Sequence, residues 1–355
     1  MLMTNVNLKS GHTYILAIIS TGFMLHVLAL PNIITAAGRD AWVSVLFTSI
    51  PITIIGFMIF YMCRSLKQQS LLSFLKANYP AYLVKCFAVC LGLVMFSEAF
   101  VAMKYTLFWA KDNYASEVPN YIIVISFLLI SYYASFKGMK TIAILGPFFF
   151  FIVCLLGVFI GISNIPKKDY TLLLPIFEQG YEPSLKGTIY VLAAFGEILY
   201  LALLQGYSKQ SLTGKGLTLT ILFLLMLTLG PLTAAIAEFG PIEAGLMNNP
   251  AYEEWKLLTI GKYITRVDFF SIFQWFAGAL IRVSLLMFLT NELLGFVKKK
   301  WSLSIIYIVL VIGALVNWQS DKFVSFLYQI YYPAVCVVLL SFLFMTFLLV
   351  KLKSR

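Results

Sequence analysis

Apolar runs of about twenty residues recur from one end of this 355-residue chain to the other. A helix of about 20 apolar residues spans the roughly 30 Å hydrocarbon core of a bilayer. In lipid, each backbone polar group must be bonded within its own segment or a closed barrel. A chain patterned this way is therefore restricted to a bundle of membrane-crossing helices. Charged residues make up only 12% of it, about half the share of a soluble domain. No stretch remains for a separate soluble unit, and residues 1–355 read as a single integral membrane domain.

Ten segments emerge between polar loops: 12–36, 41–63, 82–110, 120–136, 140–163, 185–207, 217–239, 268–297, 301–319 and 322–350. Loop charge orients them. One set of loops carries Lys9; Arg64, Lys67 and Lys76; Lys137 and Lys140; Lys209 and Lys215; Lys298, Lys299 and Lys300; and Lys351, Lys353 and Arg355, with no acid among them. The opposite set mixes signs, as in Arg39 and Asp40, or Lys167, Lys168 and Asp169. Basic loops stay in the cytoplasm, so both termini are expected there. The net charge of +11 is dispersed over these loops, so the basic patch of a nucleic-acid-binding protein is missing.

The thin basic N-terminal region and a first segment that runs on without an A-x-A-type site argue against a cleaved signal. Cys63, Cys86, Cys90, Cys154 and Cys336 lack metal or disulfide spacing and read as small core residues. The long loops, 164–184 and 240–267, fall on the outer side. In the second, Pro250 suits the start of a short helix presenting Trp255, Leu257 and Leu258. That helix is either interfacial or a lid over an outward vestibule.

Five charges lie inside segments and away from their ends: Glu98, Lys104, Glu197, Arg282 and Glu292. A central charge costs at least ~2.5–3.5 kcal/mol to insert, which makes it a functional candidate. Lys104 and Glu292 are nearer segment ends, where side chains snorkel. His26 joins the other three, placing the set on segments one, three, six and eight. Ten helices with both ends inside suit two inverted five-helix repeats, 12–163 and 185–350, an all-α LeuT-like 5+5 architecture with substrate bound where the first helix of each repeat is broken. In "STGFMLHVLALPN", Pro31 lacks an amide hydrogen and crowds the Val27 carbonyl, and Gly22 adds freedom. That segment is expected to unwind around His26; the alternative is a kinked helix whose histidine bonds a neighbour. Segment six echoes it in Phe195, Gly196 and Glu197, without a proline. Glu197 is either a binding or proton-carrying group or a partner for Arg282, and with Glu98 two acids face one arginine.

These residues resemble the B subunit of bacterial spore germinant receptors, a branch of the amino acid–polyamine–organocation transporter superfamily. The resemblance rests on "LPNIITAAGRDAWVSVL", "LLPIFEQGYEPSLKG", Glu197, and "EFGPIE" with "NNPAYEEWKLL", in order over nearly the whole chain. Met24, His26 and Phe195 stand where the family usually has small residues. The resemblance implies a nutrient sensor in the inner membrane of the spore, assembled with an A subunit and a lipoprotein C subunit. It would bind a small germinant, typically an amino acid, to trigger germination. The ligand site is expected at Gly22, Met24, His26, Glu98, Phe195, Gly196, Glu197 and Arg282. No catalytic triad, phosphate loop or metal cluster occurs in the sequence, so neither an enzyme nor a cofactor is expected. The rival readings are a proton-coupled amino-acid permease using the same cavity and a structural subunit with a vestigial one.

Overall fold

The structure is a computed structural model that describes residues 8–261, 263–295 and 301–353. Lys298, Lys299, Lys300 and Arg355, and the end of the eighth expected segment at 296–297, lie outside the described residues. The described chain is helical, with two isolated β-bridges and no strand ladder. Its elements are α1 (10–37), α2 (41–66), α3 (Leu71–Asn78), α4 (Ala81–Asn113), α5 (Asn120–Lys137), α6 (Met139–Ser163), α7 (Glu182–Tyr207), α8 (Gly214–Phe239), α9 (Pro241–Leu246), α10 (Pro250–Leu257), α11 (Phe269–Leu293), α12 (Ser302–Leu315) and α13 (Ser320–Lys353).

Eight helical runs among the described residues are long and apolar enough to cross a membrane, and α12 is a shorter apolar helix. The protein is a multi-pass membrane protein. The first of the eight, Ser10–Leu66, has 57 residues and would stretch about 85 Å if straight, almost three bilayer cores. It turns back instead at Gly38, whose φ of +55° suits glycine. Both ends of the run then meet one stretch of chain. The Leu8 amide donates to the Tyr207 carbonyl at 2.8 Å, and the Gln205 side chain donates to the Lys67 carbonyl at 2.7 Å. At the far end the Phe177 amide donates to Asp40 at 3.0 Å, and Arg39 pairs with Glu178.

Segment ends shift by up to four residues from expectation, as at α12, which stops at Leu315 rather than 319, and at α11, which stops at Leu293. The short α3 and α9 escape a reading by apolar length. α3 is nonetheless legible as an amphipathic turn: the Ser70 hydroxyl caps it by accepting from the Ser73 amide, and Leu71, Leu72, Phe74 and Leu75 are buried. Of the cysteines, Cys63 and Cys336 are buried as expected, whereas Cys86 and Cys90 lie exposed on α4, where a thiol meets lipid as an apolar group would.

α7 is buried along most of its length and α6 along little of its length. α7 packs on both arms of the folded-back run and on α13, while α11 packs on α1, α4, α5 and α6. Small residues permit this closeness. A Cβ at Gly187 would stand 2.3 Å from the Ser44 hydroxyl and 3.1 Å from the Ala37 Cβ. Overpacking of this kind costs typically 1–3 kcal/mol. Gly187→Ala is therefore expected to lower the thermal unfolding midpoint of the detergent-solubilised protein by several degrees. An unchanged midpoint would mean that α2 and α7 do not approach this closely.

Candidate functional site

Three helices of the core carry irregular turns near the buried charges. In α1 the turn is a π-helical stretch, Met24–Ala29, between regular helix on either side. It ends two residues before Pro31. A second π stretch, Leu327–Tyr331 in α13, ends two residues before Pro333. Widening the helix by one residue per turn accommodates the missing amide and the ring of the proline. The proline alone does not dictate this, since Pro147 and Pro231 sit in helices that stay regular. The expected unwinding of segment one is thus corrected to a widened but continuous helix, because a π turn keeps backbone groups bonded within the segment.

In α7 the irregularity is a 3₁₀ turn, Gly196–Leu199. Residues three apart eclipse each other in such a turn, which carries Glu197 and Tyr200 to one face. Gly196 is needed for packing rather than for an opening, since a Cβ there would lie 2.8 Å from the Leu339 Cβ of α13.

That face of α7 meets the arginine of α11. Arg282 donates through both terminal nitrogens to the two Glu197 oxygens, at 2.6 and 2.7 Å, and through one of them to the Ser20 carbonyl at 2.8 Å. Glu98, on α4, lies further off, with a carboxylate oxygen 3.8 Å from the guanidinium. The same oxygen accepts from the Tyr200 hydroxyl at 2.5 Å. All three charged residues are at most 2% exposed. The Tyr331 hydroxyl, at the π turn of α13, reaches Ser97 at 3.0 Å beside them. The site therefore ties α1, α4, α7 and α11 together near mid-helix. A planar guanidinium suits such a brace because its fork matches a carboxylate.

The arrangement is not charge-balanced. One arginine is consumed in a two-pronged bond by one acid, leaving Glu98 with a phenol for one oxygen and no partner for the other, Oε1. A buried acceptor without a donor costs about 1–3 kcal/mol. The site can therefore gain by taking up a proton or a cationic group at Glu98. It can also exchange the Glu197 carboxylate on Arg282 for a carboxylate supplied from outside.

Four of the eight expected site residues come together here: Glu98, Gly196, Glu197 and Arg282. Met24 and Phe195 are fully buried walls of the core. Gly22 is spent on helix contact, where a Cβ would lie 2.8 Å from Leu227 of α8. His26 belongs to the half-exposed flank of α1, and its Nδ1 has no partner. It makes none of the cluster's hydrogen bonds; its ring bonds instead with the Leu227 backbone of α8. Lys104 does not snorkel. It is 2% exposed and caps the end of α12 by donating to the Ala314 and Val316 carbonyls at 2.8 and 2.7 Å. Glu292 likewise accepts from Tyr207 at 2.7 Å. Ser20, Tyr200 and Tyr331 were not anticipated from sequence; the three-residue spacing of Tyr200 from Glu197 was the one available signal.

Between this site and the end of the bundle bearing 240–268 stands an aromatic column. Glu98, Tyr105 and Trp109 share a face of α4, and Trp275 shares a face of α11 with Arg282, by spacings of seven and eleven. Trp109 stacks on Trp275 with centroids 4.2 Å apart, and the edge of Tyr252 from α10 meets Trp109 at 5.4 Å. α10 starts at Pro250 as expected, but it packs inward. Tyr252, Trp255 and Leu258 are buried against the bundle, whereas Leu257 is half-exposed.

A family model described as "Spore germination protein" matches residues 10–322. Spore germination protein XB of Bacillus anthracis is 34% identical over 341 residues, covering 95% of this chain and 96% of that protein. Putative spore germination protein YfkT of Bacillus subtilis (strain 168) is 24% identical over 164 residues, 46% of this chain and 45% of that one.

Proposed function

The chain belongs to the spore germination protein family, and from that premise we propose that it is the nutrient-sensing B subunit of a germinant receptor. It would reside in the inner membrane of a bacterial spore, with an A subunit and a lipoprotein C subunit as partners. The observation that carries the sensing role is the buried, unbalanced Glu98–Arg282–Glu197 cluster at the irregular turns of α1 and α7. A small zwitterion such as an amino acid matches it: the ammonium answers Glu98, and the carboxylate competes with Glu197 for Arg282. Gly196, Met24 and Phe195 would line or bound the pocket, with Gly22 and His26 on its α8 side. The closed column of Tyr252, Trp109 and Trp275 would part to admit the ligand.

A sensor of this kind needs only unequal affinity for two conformations, because a ligand shifts populations by that difference. No catalytic step, cofactor or metal is invoked. The ten-crossing, 5+5 inverted-repeat reading with cytoplasmic termini belongs to the same proposal. Its support is the fold-back of the first run at Gly38 and the irregular turns in the first helix of each half.

The test is ligand binding and transport on one preparation. Purified protein in proteoliposomes is exposed to a labelled amino-acid panel under an imposed pH gradient, with thermal shift read in parallel. A ligand-specific rise in unfolding temperature without accumulation of label is the expected result. Saturable, gradient-driven uptake would replace this reading with a proton-coupled permease. Neither signal, repeated with the partner subunits present, would leave a structural subunit.

A further inference from the structure

A second buried charge group lies under α10, far from the Arg282 cluster. Glu254, on α10, is 3% exposed, and its Oε1 has no hydrogen-bond partner. Facing it at the end of α8 is Glu238, whose side chain is wholly buried and whose Oε1 stands 3.7 Å from the ammonium of Lys168. Asn164, also fully buried, joins the two: its side-chain amide donates to the Glu254 carbonyl at 2.8 Å and toward Glu238 at 3.4 Å, while its own Oδ1 finds no donor. The other charges around α10 are already engaged. Lys167 sits on the exposed rim and donates to the Leu257 carbonyl; Glu253 and Lys256 pair with each other at 2.8 Å; Asp169 is turned to Thr171; and Asp268, at the Tyr252 end, is held by Arg266 at 2.9 Å.

One buried ammonium thus stands near two buried carboxyls, paired with Glu238 and donating to the Gly161 carbonyl at 3.0 Å. With both acids ionised the group carries one uncompensated negative charge, on the side chain that seats α10 against the bundle. We propose that α10 is a proton-latched lid: it docks with Glu254 in its neutral acid form, whose hydroxyl supplies the donor that the surrounding orphaned oxygens lack, and it is released when that proton leaves. This rests on the reading of α10 as the cover of the sensing site, and it adds the condition under which the cover opens.

Burial pushes the Glu254 carboxyl well above the ordinary carboxylate range, Glu238 pushes it further, and Lys168 only partly opposes them. The undocked helix, in water, has an ordinary carboxyl. The docked state therefore holds a proton that the undocked state has released over the interval between those two values. Docking is strongest below the ordinary carboxylate range and weakens as pH rises towards the elevated one. For one proton the docking equilibrium falls about tenfold per pH unit across that interval.

Hydrogen–deuterium exchange of segment 250–258 in the full chain, reconstituted in nanodiscs, reads this directly. The ratio of wild-type to Glu254→Gln exchange at each pH removes the intrinsic pH dependence of the chemistry. The expected ratio rises by up to tenfold per pH unit, because the neutral glutamine stays docked. Glu238→Gln frees Lys168 for Glu254 and is expected to flatten the dependence. A ratio constant with pH would overturn the proposal. So would renewed protection at high pH on adding sodium, potassium or calcium chloride but not choline chloride, which would assign the orphaned oxygens to a metal cation. None of these readouts uses germinant response, so the latch can fail while the sensing role stands, and the reverse.

Discussion

Arg282→Ala is expected to remove most of the protein from the membrane. The substitution deletes the sole cation of a site in which Glu197 and Glu98 are buried within hydrogen-bond or ion-pair distance. Breaking a buried pair costs about 3–5 kcal/mol, because the surviving charge is stranded. Here two carboxylates are stranded and the Ser20 carbonyl loses a donor. Proteins of this size hold only about 5–15 kcal/mol in reserve. Replacing both members of the two-pronged pair with apolar side chains of similar volume removes the stranded charge with its partner, which is often neutral for stability. Immunoblots of membrane fractions should therefore show little Arg282→Ala protein and substantially more Arg282→Met/Glu197→Leu protein, in which Glu98 alone is left without its cation. Wild-type levels of the single variant would mean that the cluster bears no folding load. Loss of the double variant as well would mean that the four helices need the charges themselves.

Glu197→Gln separates binding from folding. Glutamine keeps the shape, and Glu98, now 3.8 Å away, can move onto Arg282 as its counterion. The site then passes from two acids and one base to a balanced pair, and Glu98 loses the freedom to receive an ammonium. Membrane abundance is expected to stay close to wild type, while the germinant concentration for half-maximal response in spores rises at least tenfold, equivalent to about 1.4 kcal/mol of binding. The reading is a dose–response curve of spores carrying the variant, with germination by a receptor-independent route as control. A superimposable curve would take Glu197 out of the site and leave it as a structural partner of Arg282.

These two variants also mark how far sequence reasoning reached. Glu98, Glu197 and Arg282 are conspicuous in sequence because lipid makes any central charge costly, and two acids per arginine already announced the imbalance. Which acid pairs with the arginine was open, since both helices bring a carboxylate to the same depth. Glu197 wins because the 3₁₀ turn at Gly196 and the close approach of Leu339 set its rotation. His26 stands apart from the charge cluster for a related reason. Segment one carries Thr13, Ser20, Thr21, His26 and Asn32 among its apolar residues, so its sequence does not single out which of them meets the cluster; the structure sets Ser20 against Arg282 and His26 against Leu227 of α8.

Apolar length, loop charge and the positions of costly side chains are local properties of the chain against a lipid solvent. The sequence by itself thus determined a multi-pass helical membrane protein, the approximate ends of its segments, the start of α10 at Pro250, and the depth of its buried charges. Helix rotation, the choice between an unwound and a widened turn, the inward seating of α10 and the pairing of Lys168 with Glu238 beside Glu254 depend on contacts between residues up to hundreds of positions apart. In a bundle whose inner and outer faces are both apolar, burial contributes almost nothing to choosing among rotations. That choice falls to shape, to glycine contacts and to a few hydrogen bonds, and only the tertiary structure contains them.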